Sequence, residues 1–133
     1  MIVVQSLNPT DETYLITDSV LDEIKSNLRL PEMGGILGSS TNKIITDYYY
    51  DITGHTTAMN YTPDIDTLNR VIRQWHIRGI DFIGFVHSHS ACKKTLSLVD
   101  IRYAEKIKSY CGLTEIFMLL FIPTDQSFHQ YII

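Results

Sequence analysis

The stretch IDFIGFVHSH, residues 80–89, decides the fold of this chain and carries its most informative chemistry. Residues 80–86 form an apolar run rich in β-branched and aromatic side chains, which predicts a buried strand. Because side chains alternate across a strand, His87 and His89 point to the same side where this strand ends. Two imidazoles on one side of a strand end can reach a single metal ion.

Two polar residues downstream of this strand extend the pattern. Residues 97–110 have apolar side chains in helical order, and Ser97 and Asp100 share one face of the first turn of that predicted helix. Zinc accepts neutral His nitrogen and carboxylate oxygen, and three protein ligands plus a water are typical of catalytic zinc sites. The spacing therefore predicts one zinc ion per chain with an open coordination position. Taken alone, Ser97-x-x-Asp100 more often marks a helix capping box, which needs no metal.

A third segment, LPEMGGILG at residues 30–38, supplies a further carboxylate upstream of the histidines. Residues 32–37 predict a strand that begins at Glu32 and contains Gly34 and Gly35. Glycines inside a strand indicate either the close approach of another backbone or a ligand, or a β-bulge. The sequence does not decide between these two interpretations.

Together these residues resemble the JAMM (MPN-plus) zinc metalloprotease domain over nearly the whole chain. The first similar feature is Glu32 in the stretch EMGGILG. The second is a His-Ser-His stretch followed, after seven residues, by Ser97 and then, after two more residues, by Asp100. The resemblance implies zinc bound by His87, His89 and Asp100. It also implies that Glu32 is the general acid and base, and that Ser97 donates a hydrogen bond to the developing oxyanion. For the fold it implies a cytidine-deaminase-like arrangement.

The loop after the second histidine differs from the pattern of that family. Ser90 stands where the family usually has proline, and proline would fix φ and stiffen the loop. Cys92, three residues after His89, offers a soft ligand as an alternative to an ordinary reduced thiol. Neither residue removes one of the implied ligands.

The rest of the chain predicts further helices and strands around the histidine strand. The first helix is predicted to have Asp18 or Ser19 as its N-cap, and a second to have Thr62 as its N-cap and to stop at Gly79. Further strands are predicted over residues 1–4, 14–16, 43–50, 114–122 and 128–133. Helices interspersed with strand pairs predict an α/β domain with three layers, α/β/α, around a mixed sheet.

Length and composition are those of one globular domain spanning residues 1–133. Hydrophobic residues make up 44% and charged residues 20%, and no run approaches the roughly 18 apolar residues of a membrane span. The chain start lacks the features of a signal peptide, and Cys92 and Cys111 form no disulfide framework, so we expect a reducing cytoplasm and no membrane. The formal net charge of −4 argues against a nucleic-acid partner.

The expected activity is zinc-dependent hydrolysis of an amide or isopeptide bond. The resemblance implies a ubiquitin-like or sulfur-carrier protein with a Gly-Gly tail as substrate, and we hypothesise that residues 32–37 take that tail by strand addition. Three alternatives remain. A non-catalytic MPN scaffold or ubiquitin-like-binding module needs no chemistry, and a zinc base deaminase is disfavoured because no H-x-E or P-C-x-x-C is present. A RadC-like DNA-associated domain shares the His-x-His…Ser-x-x-Asp spacing.

Overall fold

The computed structural model describes residues 2–3, 14–30, 32–41, 44–52, 54–56, 61–91 and 95–133. The helices are α1 Asp18–Asn27, α2 Ile65–Ile77 and α3 Leu98–Tyr110. The strands are β1 Ile2–Val3, β2 Leu15–Ile16, β3 Gly34–Ser39, β4 Ile44–Ile45, β5 Asp47–Tyr50, β6 His55–Thr56, β7 Tyr61–Thr62, β8 Asp81–Ser88, β9 Phe117–Ile122 and β10 Ser127–Ile132. No helix in the described ranges is both long enough and apolar enough to cross a bilayer.

A five-stranded sheet forms the centre of the molecule, in the order β10-β9-β8-β3-β5. The β8–β9 pair is parallel and the other pairs are antiparallel. The smaller sheets have the orders β1-β2-β4 and β6-β7. The prediction of an α/β fold with a mixed sheet is therefore confirmed.

Strand β3 lies in the interior of the sheet, and this overturns one expectation. Gly35 pairs with Tyr50 of β5 on one side and with Val86 of β8 on the other. A substrate tail needs an unpaired edge for strand addition, so the hypothesis that residues 32–37 bind a tail in this way is wrong. Gly35 instead serves close packing, because a Cβ there would collide with the backbone oxygen of Tyr49. The irregularity in pairing with β8 falls between Leu37 and Gly38.

Helices cover both faces of the central sheet. Helix α1 packs on one face and α2 and α3 pack on the other, so each face has its own apolar core. The core with α1 includes Val20, Leu21, Ile24, Leu28, Leu37, Val86, Phe117, Leu119 and Phe121. The core with α2 and α3 includes Ile36, Leu68, Trp75, Phe82, Phe85, Ala104 and Met118. Neighbouring strand residues alternate between the two cores, as the period of a strand requires.

The helix starts differ by one or two residues from the sequence prediction. Thr17, not Asp18 or Ser19, is the N-cap of α1, and its Oγ1 accepts a hydrogen bond from the backbone N of Val20 at 3.3 Å. The second helix is capped by Asp64, because Thr62 belongs to β7. An N-cap is the last non-helical residue, and neighbouring polar residues compete for that place. The predicted end of α2 is confirmed, since Gly79 has a φ of 77°.

Candidate metal centre

Strand pairing brings the histidines beside the loop that carries Glu32. His87 lies near the end of β8 and pairs with Gly34, the first residue of β3. His89 follows the strand, and its backbone N donates to the carbonyl of Phe121 in β9 at 3.0 Å. The loop before β3, the end of β8 and the first turn of α3 therefore meet at one place. Both imidazoles are buried, with 6% of His87 and 2% of His89 exposed.

Four side chains from these segments form what we call the polar cluster: Glu32, His87, His89 and Asp100. The two Nε2 atoms of the histidines are 2.9 Å apart. Oδ2 of Asp100 lies 3.4 Å from Nε2 of His87 and 3.5 Å from Nε2 of His89. Oε1 of Glu32 lies 3.2 Å from Nε2 of His89.

The polar cluster fits a metal ion by its donor atoms and their spacing. Glu32, His87 and His89 each offer a ligand atom, and these atoms lie within 4.8 Å of one another, so the three could hold an ion. The two histidines and Asp100 form a second, more compact triangle. Ligand atoms about 2.0–2.1 Å from a tetrahedral zinc ion are about 3.3 Å from one another, which is near the spacing of the histidines to Asp100.

Asp100 joins this cluster to the start of α3. Its Oδ2 accepts a hydrogen bond from the backbone N of Ser97 at 2.9 Å, and its own backbone N donates to Oγ of Ser97 at 3.1 Å. The capping box is therefore present, and the same carboxylate oxygen also faces the histidines. Burial raises the pKa of Asp100, but hydrogen bonding and charge from His87, together with bonds from Ser97, outweigh it and hold the pKa well below its usual range.

Ser97 is the N-cap of α3, so the structure places it in contact with Asp100 at the edge of the cluster. Its Oγ already accepts one hydrogen bond in the capping box, and a hydroxyl can donate while it accepts. Ser90 follows the histidines and is half-buried, whereas Cys92 lies outside the described residues.

Ser88 is a residue whose importance the sequence pattern did not show. It is completely buried between the two histidines and points to the opposite side of the chain. Its Oγ donates to the carbonyl of Arg29 at 2.8 Å and accepts from the backbone N of Met33 at 3.0 Å. Its backbone N donates to the carbonyl of Met33 at 2.8 Å. Ser88 thus ties the segment that contains Glu32 to the histidine strand.

An apolar cavity of about 250 Å³ adjoins the polar cluster. Glu32, His87 and Asp100 form its polar side. Most of the remaining wall is apolar, and it includes Pro63, Phe85, Val99, Tyr103 and Met118. A group of carboxylates and imidazoles beside an apolar cavity is typical of a small-molecule or peptide-binding site.

Comparisons with known proteins establish the fold class and leave the function open. No protein-family model and no curated protein matches the sequence. Among solved structures, the chain is similar to the solution structure of protein DSY2949 from Desulfitobacterium hafniense, with a TM-score of 0.63 and 18% sequence identity. The match covers 86% of this chain and 79% of that chain. At this identity the similarity shows the fold alone.

Proposed function

We propose that this chain is a zinc-dependent peptidase or isopeptidase of the JAMM (MPN-plus) type, with the cytidine-deaminase-like fold of that family. The observation that carries the proposal is the meeting of Glu32 and Asp100, both partly buried, with the buried side chains of His87 and His89. His87, His89 and Asp100 lie within fourteen residues of one another, whereas Glu32 lies 55 residues before His87, and each belongs to the motif that resembles the family. A metal scaffold without catalysis needs only the ligands, whereas this cluster also has a second carboxylate.

The two carboxylates have different geometry, and this supports different roles for them. Asp100 lies within 3.5 Å of both Nε2 atoms, so it completes a triangle suited to a single ion. Glu32 contacts His89 from the loop before β3 and also lines the apolar cavity. We therefore assign His87, His89 and Asp100 as zinc ligands and Glu32 as the general acid and base.

The reaction is hydrolysis, in which water adds a hydroxyl to the acyl carbon, the C–N bond breaks and the amine leaves with a proton. Zinc bound here would polarise the scissile carbonyl and lower the pKa of water to about 7. Glu32 takes a proton from the attacking water and gives it to the leaving nitrogen, a role worth about 10²–10⁴-fold in rate. Ser97 donates a hydrogen bond to the developing oxyanion, as similar donors do in other hydrolases.

The substrate proposed is a ubiquitin-like or sulfur-carrier protein that ends in Gly-Gly and is linked through this end to an amine. This part of the proposal rests on the resemblance, since β3 has no free edge to bind the tail. Strand addition is therefore not part of the proposal.

Zinc analysis of four variants tests the assignment of roles. The purified protein should bind about one zinc per chain, and His87→Ala, His89→Ala and Asp100→Ala should each lower that amount. Glu32→Gln should keep zinc and the native melting temperature, yet lose at least about 10²-fold in rate on proteins carrying an extended Gly-Gly tail. Equal rates for Glu32→Gln and the native chain would refute the mechanism. Loss of zinc in Glu32→Gln but not in Asp100→Ala would show that Glu32 is the zinc ligand and that Asp100 is the general acid and base.

A further inference from the structure

The cavity beside the polar cluster has the size and character of a side-chain pocket. A buried cavity of about 150 Å³ lined by apolar side chains can hold benzene. At about 250 Å³, the cavity here has room for the side chain of leucine, methionine or phenylalanine. The apolar part of its wall disfavours a charged side chain, because a charge loses its hydration there.

We propose that this cavity binds the side chain of the leaving residue, so that the released amine begins with leucine, methionine or phenylalanine. This inference rests on the proposed function. Glu32 lines the cavity and must reach the leaving nitrogen to protonate it, so the side chain attached next to that nitrogen lies close to this opening. The acyl side of the proposed substrate ends in glycine and has no side chain to place there.

Tyr103 sets the far limit of this pocket. A second cavity of about 320 Å³ lies between α2 and α3, and Phe85 and Tyr103 line both cavities. The two rings have centroids 5.6 Å apart and are tilted by 56°, so they form the partition between the cavities. Burial raises the pKa of Tyr103 to about 12, with smaller contributions from Asp51 and Cys111, so the hydroxyl is neutral at physiological pH.

A substrate series tests the preference directly. The probes are ubiquitin and a bacterial sulfur-carrier protein, each extended after its Gly-Gly end by one residue: glycine, leucine, methionine, phenylalanine, aspartate or lysine. We expect kcat/KM for the three apolar residues to exceed that for glycine by about tenfold or more, since each methylene in an apolar pocket contributes about tenfold or more to discrimination. Aspartate and lysine should be cleaved more slowly than leucine.

Two variants change the pocket in opposite directions. Val99 is 72% exposed at the rim, so Val99→Trp can fill the pocket from the surface without disturbing a core. This variant should lose the preference for leucine over glycine and keep its zinc. Tyr103→Ala should join the two cavities and shift the preference towards naphthylalanine. Asn69→Ala is the matched control, because Asn69 lines the second cavity and not the first.

A binding measurement separates the pocket from the reaction. Leucine amide, an analogue of the released product, should shift the NMR methyl signals of Val99 and Met118 in the zinc-loaded protein, and glycine amide should not. Cleavage of the glycine extension as fast as the leucine extension would overturn the pocket assignment while the proposed function stands. Failure to cleave any extension would contradict the proposed function, and absence of methyl shifts with leucine amide would then overturn the pocket as well.

Discussion

Replacing Ser88 with alanine tests whether the residue between the histidines holds the Glu32 loop in place. The change removes a fully buried Oγ that bonds to the carbonyl of Arg29 at 2.8 Å and to the backbone N of Met33 at 3.0 Å. Each such bond contributes about 0.5–1.5 kcal/mol, and each buried group left without a partner costs about 1–3 kcal/mol. We therefore expect the free energy of unfolding to fall by about 2–3 kcal/mol. At about 4 °C per kcal/mol, the melting temperature should fall by about 8–12 °C.

The effect on the proposed reaction follows from the position of Glu32, which directly precedes Met33 in the loop that Ser88 holds. A displacement of about 1 Å at a reacting group can cost about 10²-fold in rate. We expect kcat for Ser88→Ala to fall by about tenfold to a hundredfold. Zinc should stay near one per chain, because the proposed ligands His87 and His89 remain at the end of β8. Metal analysis, thermal melts and steady-state kinetics on one preparation measure all three quantities.

A control variant and a double variant test whether Ser88 affects the rate through Glu32. Ser39 is a buried serine at the other end of β3 whose Oγ donates to the carbonyl of Thr41, so Ser39→Ala should lower stability but not the rate per folded molecule. In a Glu32→Gln background, Ser88→Ala should still lower the melting temperature but should no longer lower the residual rate. An equal loss of rate with and without Glu32 would show that Ser88 does not act through this carboxylate.

The structure supports four further predictions. Chelation of zinc should lower the melting temperature, because the proposed ion would bind the folded state, and adding zinc back should restore it. Ser97→Ala should cost the zinc-free protein about 1 kcal/mol in thermal melts through loss of the helix cap. Gly84→Ala should prevent stable folding, as measured by circular dichroism, because the added Cβ would collide with the carbonyl of Phe117. Gly79→Ala should cost only about 1 kcal/mol in the free energy of unfolding, because Gly79 has a φ of 77° but open space around it. The pKa of Tyr103 is raised from 10.0 to about 12, so its contribution to stability is complete below pH 10 and is lost as the pH rises towards 12. Alkaline absorbance should show a tyrosine that ionises near pH 12, and Tyr103→Phe should remove this step.

Local sequence patterns predicted the parts of the site that depend on a single element. The two-residue period of a strand places His87 and His89 on one side, and the helical spacing places Ser97 and Asp100 in one turn. From the sequence, metal ligation and helix capping were alternative roles for Asp100. The structure shows the capping box and the approach to both imidazoles together, because Oδ2 of Asp100 faces Ser97 and the histidines at once.

The tertiary structure decided what depends on pairing between distant segments. Met33 and Ser88 are 55 residues apart in sequence, yet their hydrogen bond fixes the loop that carries Glu32. The interior position of β3, which excludes strand addition there, follows from the sheet order and from no local signal.

The chain by itself therefore determined the chemical types at the site, the helix and strand that carry most of them, and the α/β class. Periodicity and capping act over a few neighbouring residues, and these signals can be read from the sequence alone. Strands and helices that meet only in the folded state bury the histidines of the polar cluster. The same contacts give Ser88 its bonds to the Glu32 loop and place Tyr103 in the wall of the cavity. Those contacts depend on register and packing between distant elements, which a single sequence does not specify locally.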